Sequence, residues 1–480
     1  MLRAAEEFFL HGKNLVTPER IQEGGVLIQK GRIQEILSPR EVLEFCSSEK
    51  ALQGFPVIDA GISVILPGVI DTHVHINEPG RTEWEGFETA TKAAAAGGIT
   101  TLMDMPLNSI PVTTTQNALK EKIEAAQNKI RVDCGFWGGL IPENIKELES
   151  LIQSGVKGFK CFLTSSGIPE FPSVTAEDLE KAMPILANLG IPLLVHAEIE
   201  DYQKPLLSSI SGGKTLLFSN PLLEPQNPRY YSTYLRTHPK EMENDAIRLL
   251  IQLSRKTRCP VHIVHLSSSE GIPLILQAKE EGIPITAETC PHYLFFASEE
   301  IPEGHTEFKC SPPIREKENQ DKLWEGLRKG IIDSVVSDHS PCVPELKQLE
   351  KGDFLNAWGG ISSLQFSLSA VWTQAKKRKF QIKDLAQWMC EAPAKLCGLE
   401  KQKGKIAKGY DADLSIWDPN LSFTVEPSQI FHKHPVTPYL FSVLEGQTQR
   451  VFLRGKEIFN REASFQSPTG RLLVNGKVYF

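Results

Sequence analysis

The chain has 480 residues, of which 41% are hydrophobic and 23% charged, and a formal net charge of −7. That length exceeds what a single core usually sustains and points to a large domain plus a smaller one, while the acidic balance argues against nucleic acid as a partner. Nine cysteines are dispersed without a C-x-x-C pair, the usage of reduced thiols in a reducing compartment.

The first residues, Met1 to Glu7, carry acids early and no apolar stretch, so no secretory signal is expected. Residues 1–65 hold short alternating strands, Gly25-Val26-Leu27-Ile28 and Arg32-Ile33, broken by glycines, and they do not complete a domain. Matching material stands at the other end: Lys405-Ile406, Ala412 to Trp417, and Val451 to Lys456. Residues 1–65 and 393–480 are therefore expected to pair into a small β-sandwich beside a central domain, 66–392.

From Pro67 to about Pro341 short apolar runs alternate with amphipathic segments. Eight runs can be counted: Val69 to His73, Ile99 to Met103, Val132 to Phe136, Val156 to Lys160, Ile191 to His196, Val261 to His265, Ile283 to Ala287, and Ile331 to Ser337. Helical patterns such as Ala118 to Lys129 and Asp178 to Leu189 lie between them. Strands alternating with helices imply parallel pairing, and eight such units imply a closed (β/α)8 TIM barrel. The segment 208–241, rich in Pro, Asn and Tyr, reads as an insertion after the fifth strand. The basic run Lys376 to Lys379 follows a helical pattern and reads as a solvated helix end. No run is long enough to cross a bilayer, and the terminal Val478-Tyr479-Phe480 is not a peroxisomal Ser-Lys-Leu address.

Candidate metal ligands fall at the C-terminal ends of runs one, four, five, six and eight, where barrel active sites gather. His73 and His75 are two apart on a strand and face one side, with Asp71 as a neighbour for them. His196 and His265 end apolar runs, and Asp338 follows the last one. His262 and His265 are three apart, so only one is expected to face inward; His265 lies nearer the strand end, which leaves His262 packed under a helix. Lys160, in Gly158-Phe159-Lys160-Cys161-Phe162, is an amine among apolar neighbours. If neutral it can add carbon dioxide as a carbamate, an N6-carboxylysine whose two oxygens would bridge a pair of dications. Two dications then meet a carbamate, Asp338 and a bridging hydroxide, leaving a modest positive charge.

The order His-x-His, Lys, His, His, Asp resembles the cyclic amidohydrolases, which include dihydroorotase, hydantoinase or dihydropyrimidinase, and allantoinase. Within them the loop Asn77-Glu78-Pro79-Gly80-Arg81-Thr82-Glu83-Trp84-Glu85-Gly86-Phe87 is similar to allantoinases. So are Ser166 to Pro172, Glu288 to Tyr293, Lys309 to Arg315, Asp338 to Cys342 and Ala357 to Ser362. Dihydroorotases typically place an arginine where this chain has Asn77, a neutral donor and acceptor suited to a ureido or imide group.

The resemblance implies an amidohydrolase-type barrel and hydrolysis of the hydantoin ring of allantoin to allantoate in purine degradation. It implies two divalent ions, zinc by preference, bridged by carboxylated Lys160 and hydroxide and held by His73, His75, His196, His265 and Asp338. It gives Asp338 the proton transfer, makes Asn77, Asn108 and Ser311 candidates for substrate contact, and suggests a homotetramer. A hydantoinase or dihydropyrimidinase is the alternative, and a non-catalytic assembly protein on the same scaffold a more distant one. A cytoplasmic location is expected, with peroxisomal and mitochondrial addresses left open.

Overall fold

The computed structural model describes residues 7–200 and 227–474, so most of the expected insertion after the fifth strand lies outside the described residues. The N-terminal part contributes β1 (Glu7–Val16), β2 (Ile21–Gln29), β3 (Arg32–Leu37), β4 (Val57–Asp59) and β5 (Val64–Pro67). The central part follows with β6 (Val69–Val74), β7 (Ile99–Asp104), β8 (Asp133–Phe136), β9 (Gly138–Gly139), β10 (Phe159–Phe162), β11 (Leu193–His196), β12 (Val261–Ile263), β13 (Ile285–Thr289) and β14 (Ser334–Val335). The C-terminal part adds β15 (Leu414–Thr424), β16 (Val443–Leu453), β17 (Lys456–Asn460) and β18 (Ser464–Phe465).

Strands β6, β7 and β8 pair in parallel, as do β9 to β14 in order. β8 and β9 are one extended run broken at Trp137, whose amide donates to Asp104 O at 3.0 Å and whose indole donates to Thr72 O at 2.8 Å. The circle closes at the other side, where His75 N donates to His339 O at 2.8 Å and Val74 bridges His339 in parallel. The result is an eight-stranded barrel, with each predicted run supplying one strand. Val156 to Lys160 is displaced by a few residues, and Ile331 to Ser337 keeps only two residues in regular pairing.

Alternation along these strands separates core from site. Phe159, Cys161, Leu193, Val195, Val261, Ile263, Ile285 and Ala287 all belong to the main apolar cluster that the flanking helices complete. The intervening positions carry Lys160, His196, His262 and Glu288 on the other face. The helices start where the sequence caps them: Thr115 accepts from Ala118 N ahead of Gln116–Ala126, and a Thr175/Asp178 capping box opens Ala176–Leu189. The basic run closes the helix Ser367–Lys377, with Lys376 paired to Glu445 at 2.5 Å.

The two chain ends meet as expected, in a single sheet of nine strands. Its order is β18-β17-β16-β15-β5-β1-β2-β3, with β4 also on β1, and antiparallel β5–β15 pairing joins the two ends. In a flat sheet β1 and β16 would stand about 14 Å apart, three strand spacings. Yet the Phe8 and Phe452 rings lie 5.3 Å apart across a shared apolar cluster with Val26, Ile33, Leu414 and Ile416. The sheet therefore folds over on itself.

Candidate metal centre

His73 is the last residue but one of β6 and His75 follows the strand; Lys160 lies on β10, His196 ends β11, His265 stands two residues past β12, and Asp338 three past β14. All six line one cavity of about 640 Å³ at the C-terminal ends of the strands, together with Asn108, Phe162, Glu198, Tyr234, Ser311 and Trp358. His73 Nε2 is 3.2 Å and His75 Nε2 3.7 Å from Asp338 Oδ1. The His265 ring centre lies 5.4 Å from that of His73 and 4.6 Å from that of His196. A second cavity of about 590 Å³, lined by Lys30, Arg32, Arg454, Lys456 and Arg471, holds none of these donors. Chemistry rather than size picks out the site.

The backbone that presents these groups is unusual. His265 (φ 40°), Asp338 (φ 43°), Asn77 (φ 65°) and Asn108 (φ 71°) are all left-handed without being glycine. Strain of this kind persists where surrounding structure fixes it, and it concentrates at functional sites. It also explains a departure from the sequence reading of His262 and His265. Regular strand geometry ends at Ile263, so the turn at His265 breaks the alternation and both rings are inward. His262 does not pack under a helix. Its Nε2 donates to Glu288 Oε2 at 2.9 Å, and its Nδ1 meets Thr286 Oγ1 at 2.7 Å.

Glu288 is the residue that sequence reasoning placed only within a motif. Its Oε1 accepts a hydrogen bond from His73 Nδ1 at 2.5 Å, which leaves Nε2 facing Asp338. Burial pushes the Glu288 carboxyl up, but the His73 and His262 rings more than reverse this and hold it at about 2. Glu198 does the same for His196: its Oε2 accepts from Nε2 at 2.7 Å, leaving Nδ1 toward the cavity. Asp71, expected beside the histidine rings, instead accepts from the backbone amides of His73 and Ser337. The signal for Glu288 was its alternation on β13, two residues past Thr286 on the inward face.

Lys160 is 1% exposed, and its Nζ has no hydrogen-bond partner among the described residues. Burial brings its amine down to about 8. His265 Nδ1 is likewise buried and unpartnered. Burial holds the His75, His196 and His265 rings well below the usual imidazole range, hence neutral, as ligands must be. The Asp338 carboxyl is raised by burial. Orphaned buried donors beside neutral imidazoles and a carboxylate fit divalent ions, because buried polar groups are otherwise satisfied.

Of the three candidates for substrate contact, Asn108 and Ser311 line the cavity and Asn77 does not. Asn77 is buried and donates its amide to Pro341 O at 3.2 Å, which ties its loop to the loop after β14. Asn108 Oδ1 is buried without a hydrogen-bond partner among the described residues, and Tyr234 OH holds Ser311 Oγ at 2.7 Å. Arg81 is structural: it donates to Asn108 O at 2.9 Å and pairs with Glu170 at 3.3 Å, the acid partner being neither Glu83 nor Glu85.

A parallel (β/α)8 barrel whose strand ends gather histidines and an aspartate around one cavity defines a metal-dependent hydrolase. The chain belongs to the amidohydrolase family, whose model matches residues 64–458, and its His73, His75 and Asp338 donor atoms, all within 4.8 Å of one another, are close enough to hold a metal ion. Relatives include the allantoinases of Streptomyces avermitilis (44% identical, covering 97% of this chain and 98% of the relative) and Arabidopsis thaliana (44%, covering 97% and 91%). Among solved structures, L-hydantoinase (dihydropyrimidinase) from Arthrobacter aurescens superposes with a TM-score of 0.85 at 28% identity, covering 98% of this chain and 100% of that one. Dihydropyrimidinase from Brevibacillus agri follows at 0.83 and 28%, covering 97% and 98%.

Proposed function

We propose that this cavity hydrolyses the hydantoin ring of allantoin to allantoate. The observation that carries the reading is the buried, unpartnered Lys160 amine among neutral histidines and Asp338, in a chain 44% identical to allantoinases over nearly its whole length. His73, His75, Lys160, His196, His265 and Asp338 would hold two divalent ions, zinc by preference. Lys160 would serve as an N6-carboxylysine, since an ammonium there would repel them and a carbamate supplies the missing negative charge. Bound ions supply Lewis acidity toward a ring carbonyl and lower the pKa of water from about 16 toward about 7.

The protein's own groups do the rest. Asp338, held by a strained turn beside His73 and His75, takes a proton from the attacking water and returns it to the leaving ring nitrogen. Glu288 and Glu198 fix the tautomers of His73 and His196. Asn108 Oδ1, still unsatisfied, can accept a ring or ureido N–H, while Ser311, oriented by Tyr234, lies across the cavity as a second polar contact. Trp358 and Phe162 supply apolar walls, Phe162 stacked on the His196 ring at 4.6 Å.

Measuring kcat/KM for allantoin, dihydroorotate, dihydrouracil and unsubstituted hydantoin on one metal-replete preparation tests the assignment, with allantoin expected to lead. If dihydrouracil or dihydroorotate leads, the substrate is wrong although the hydrolase class stands. The solved hydantoinases favour dihydrouracil or hydantoin as the second reading, at lower identity than the allantoinases. We also read the chain as a homotetramer, to be checked by light scattering. The free state of all nine cysteines fits the reducing cytoplasm; no helix among the described residues is long and apolar enough to cross a membrane.

A further inference from the structure

We propose that Cys290 and His292, together with Asp338, form a third metal site for a soft divalent ion, and that filling it stops turnover by taking Asp338 out of the reaction. The second half of this inference rests on the role given to Asp338 above. Cys290 Sγ, a ring nitrogen of His292 and a carboxylate oxygen of Asp338 lie within 4.8 Å of one another, all three side chains buried. This set shares with the first cluster only Asp338.

A second observation points to a ligand there. His292 is fully buried, yet neither ring nitrogen has a hydrogen-bond partner among the described residues. A buried imidazole left unsatisfied on both sides is costly, and a thiol and a carboxylate lie within 4.8 Å of one of its nitrogens. The fold places it there. Cys290 follows β13 and the short helix Pro291–Phe295 begins at once, so the thiol and the ring come from two residues of one tight corner. The Asp338, Glu288 and Asp71 carboxylates act on Cys290 and favour a cation there, while His73 and, less strongly, Lys347 act on His292.

The donor set is one sulfur, one nitrogen and one oxygen, which selects zinc or cadmium over magnesium or calcium. Tetrahedral zinc separates its ligand atoms by about 3.4–3.8 Å, so three donors within 4.8 Å of one another need to close by about 1 Å at most. Asp338 lines the open cavity, and an ion can reach the corner through it. Once its oxygen is engaged below, Asp338 no longer accepts a proton from above. The cluster would then act as a brake that responds to excess metal.

The test titrates cadmium into zinc-loaded enzyme and follows thiolate-to-cadmium charge-transfer absorption, bound metal and turnover together. Cys46 is the only cysteine not buried, and it is removed by Cys46→Ser in every protein compared. The expected result is one equivalent of thiolate-bound cadmium per chain, with turnover falling in parallel. Cys290→Ser should keep basal turnover, lose the absorption and need at least tenfold more cadmium for the same inhibition; His292→Gln should weaken binding with the absorption retained at saturation. Absence of the absorption at stoichiometric cadmium, or identical absorption in Cys290→Ser, overturns the site. Absorption without any fall in turnover overturns the brake. The zinc content and activity before cadmium is added report on the two-ion reading separately.

Discussion

At the scale of single residues, chemistry at this site depends on groups that burial makes anomalous. Lys160→Ala should abolish allantoin turnover and lower metal content, and a short-chain carboxylic acid should restore part of the activity by standing in for the carbamate; full metal content and activity in Lys160→Ala would remove the bridge from the account. Asp338→Asn should retain the fold and much of the metal while losing about a hundredfold or more in kcat, because an amide cannot carry a proton. Near-normal turnover with metal bound would assign the base elsewhere. Glu288 yields a pH prediction for the metal-free protein. Its carboxyl is held at about 2 in the fold against an ordinary 4.5, so its stabilising contribution is complete above 4.5 and fades as pH falls from 4.5 toward 2. Acid unfolding of the metal-free wild type should accordingly converge on that of Glu288→Gln over this interval, and a gap that stays constant with pH would count against it. The six ligand candidates, all lining the cavity, were legible in the sequence because each ends an apolar run or stands within two residues of its end. Glu288 and Glu198 were not singled out, although each stands two residues past an inward position, because that alternation alone does not tell which side chain a carboxylate serves.

At the scale of elements, period-two alternation carried the sequence reading as far as regular strand geometry lasts. It placed all eight barrel strands, and the helical patterns between them matched Gln116–Ala126 and Ala176–Leu189. It missed Gly138–Gly139, a strand without side chains to alternate, and it misassigned His262, because the strand ends at Ile263 and His265 turns at φ 40°. The substrate argument from Asn77 shows the same limit. A loop residue's type was readable, while its direction was set by a contact with Pro341, 264 positions away. Such long-range loop contacts position Asp338 as well, and one can be tested. A Cβ on Gly360 would lie 2.1 Å from Ser340 O, and Ser340 N is bonded to Ile361 O at 3.0 Å. Gly360→Ala must push the 338–341 turn outward. We expect a loss of about 1–3 kcal/mol, as in other overpacked sites, with a fall in kcat larger than any change in KM. An unaltered melting temperature and kcat would show that the turn tolerates the shift.

At the scale of the whole molecule, the end sheet is not merely adjacent to the barrel. Lys403, 1% exposed on its side chain, binds Asp133 on β8 at 2.9 Å and, just ahead of β15, Asp413 at 2.5 Å and Asp411 at 3.4 Å. Arg454, in the turn between β16 and β17, closes on the same Asp133. Three carboxylates and two cations thus tie the C-terminal part of the chain to one barrel strand, away from the cavity, whose lining includes none of them. Nothing in local sequence pattern announces this junction, since its members lie up to 321 positions apart. Lys403→Met removes one cation and strands buried carboxylates, a change that costs about 3–5 kcal/mol when a buried partner is lost. Turnover per folded molecule should remain that of the wild type. The pH dependence follows in sign. Unpaired buried carboxyls have folded-state pKa values raised above their unfolded ones, so they favour the fold only when protonated, and the deficit of Lys403→Met should be largest at neutral pH and shrink as the solution is acidified. Denaturant unfolding of both proteins between neutral and mildly acidic pH measures this. A deficit independent of pH would mean that packing of the lysine stem, rather than its charge, joins the end sheet to the barrel.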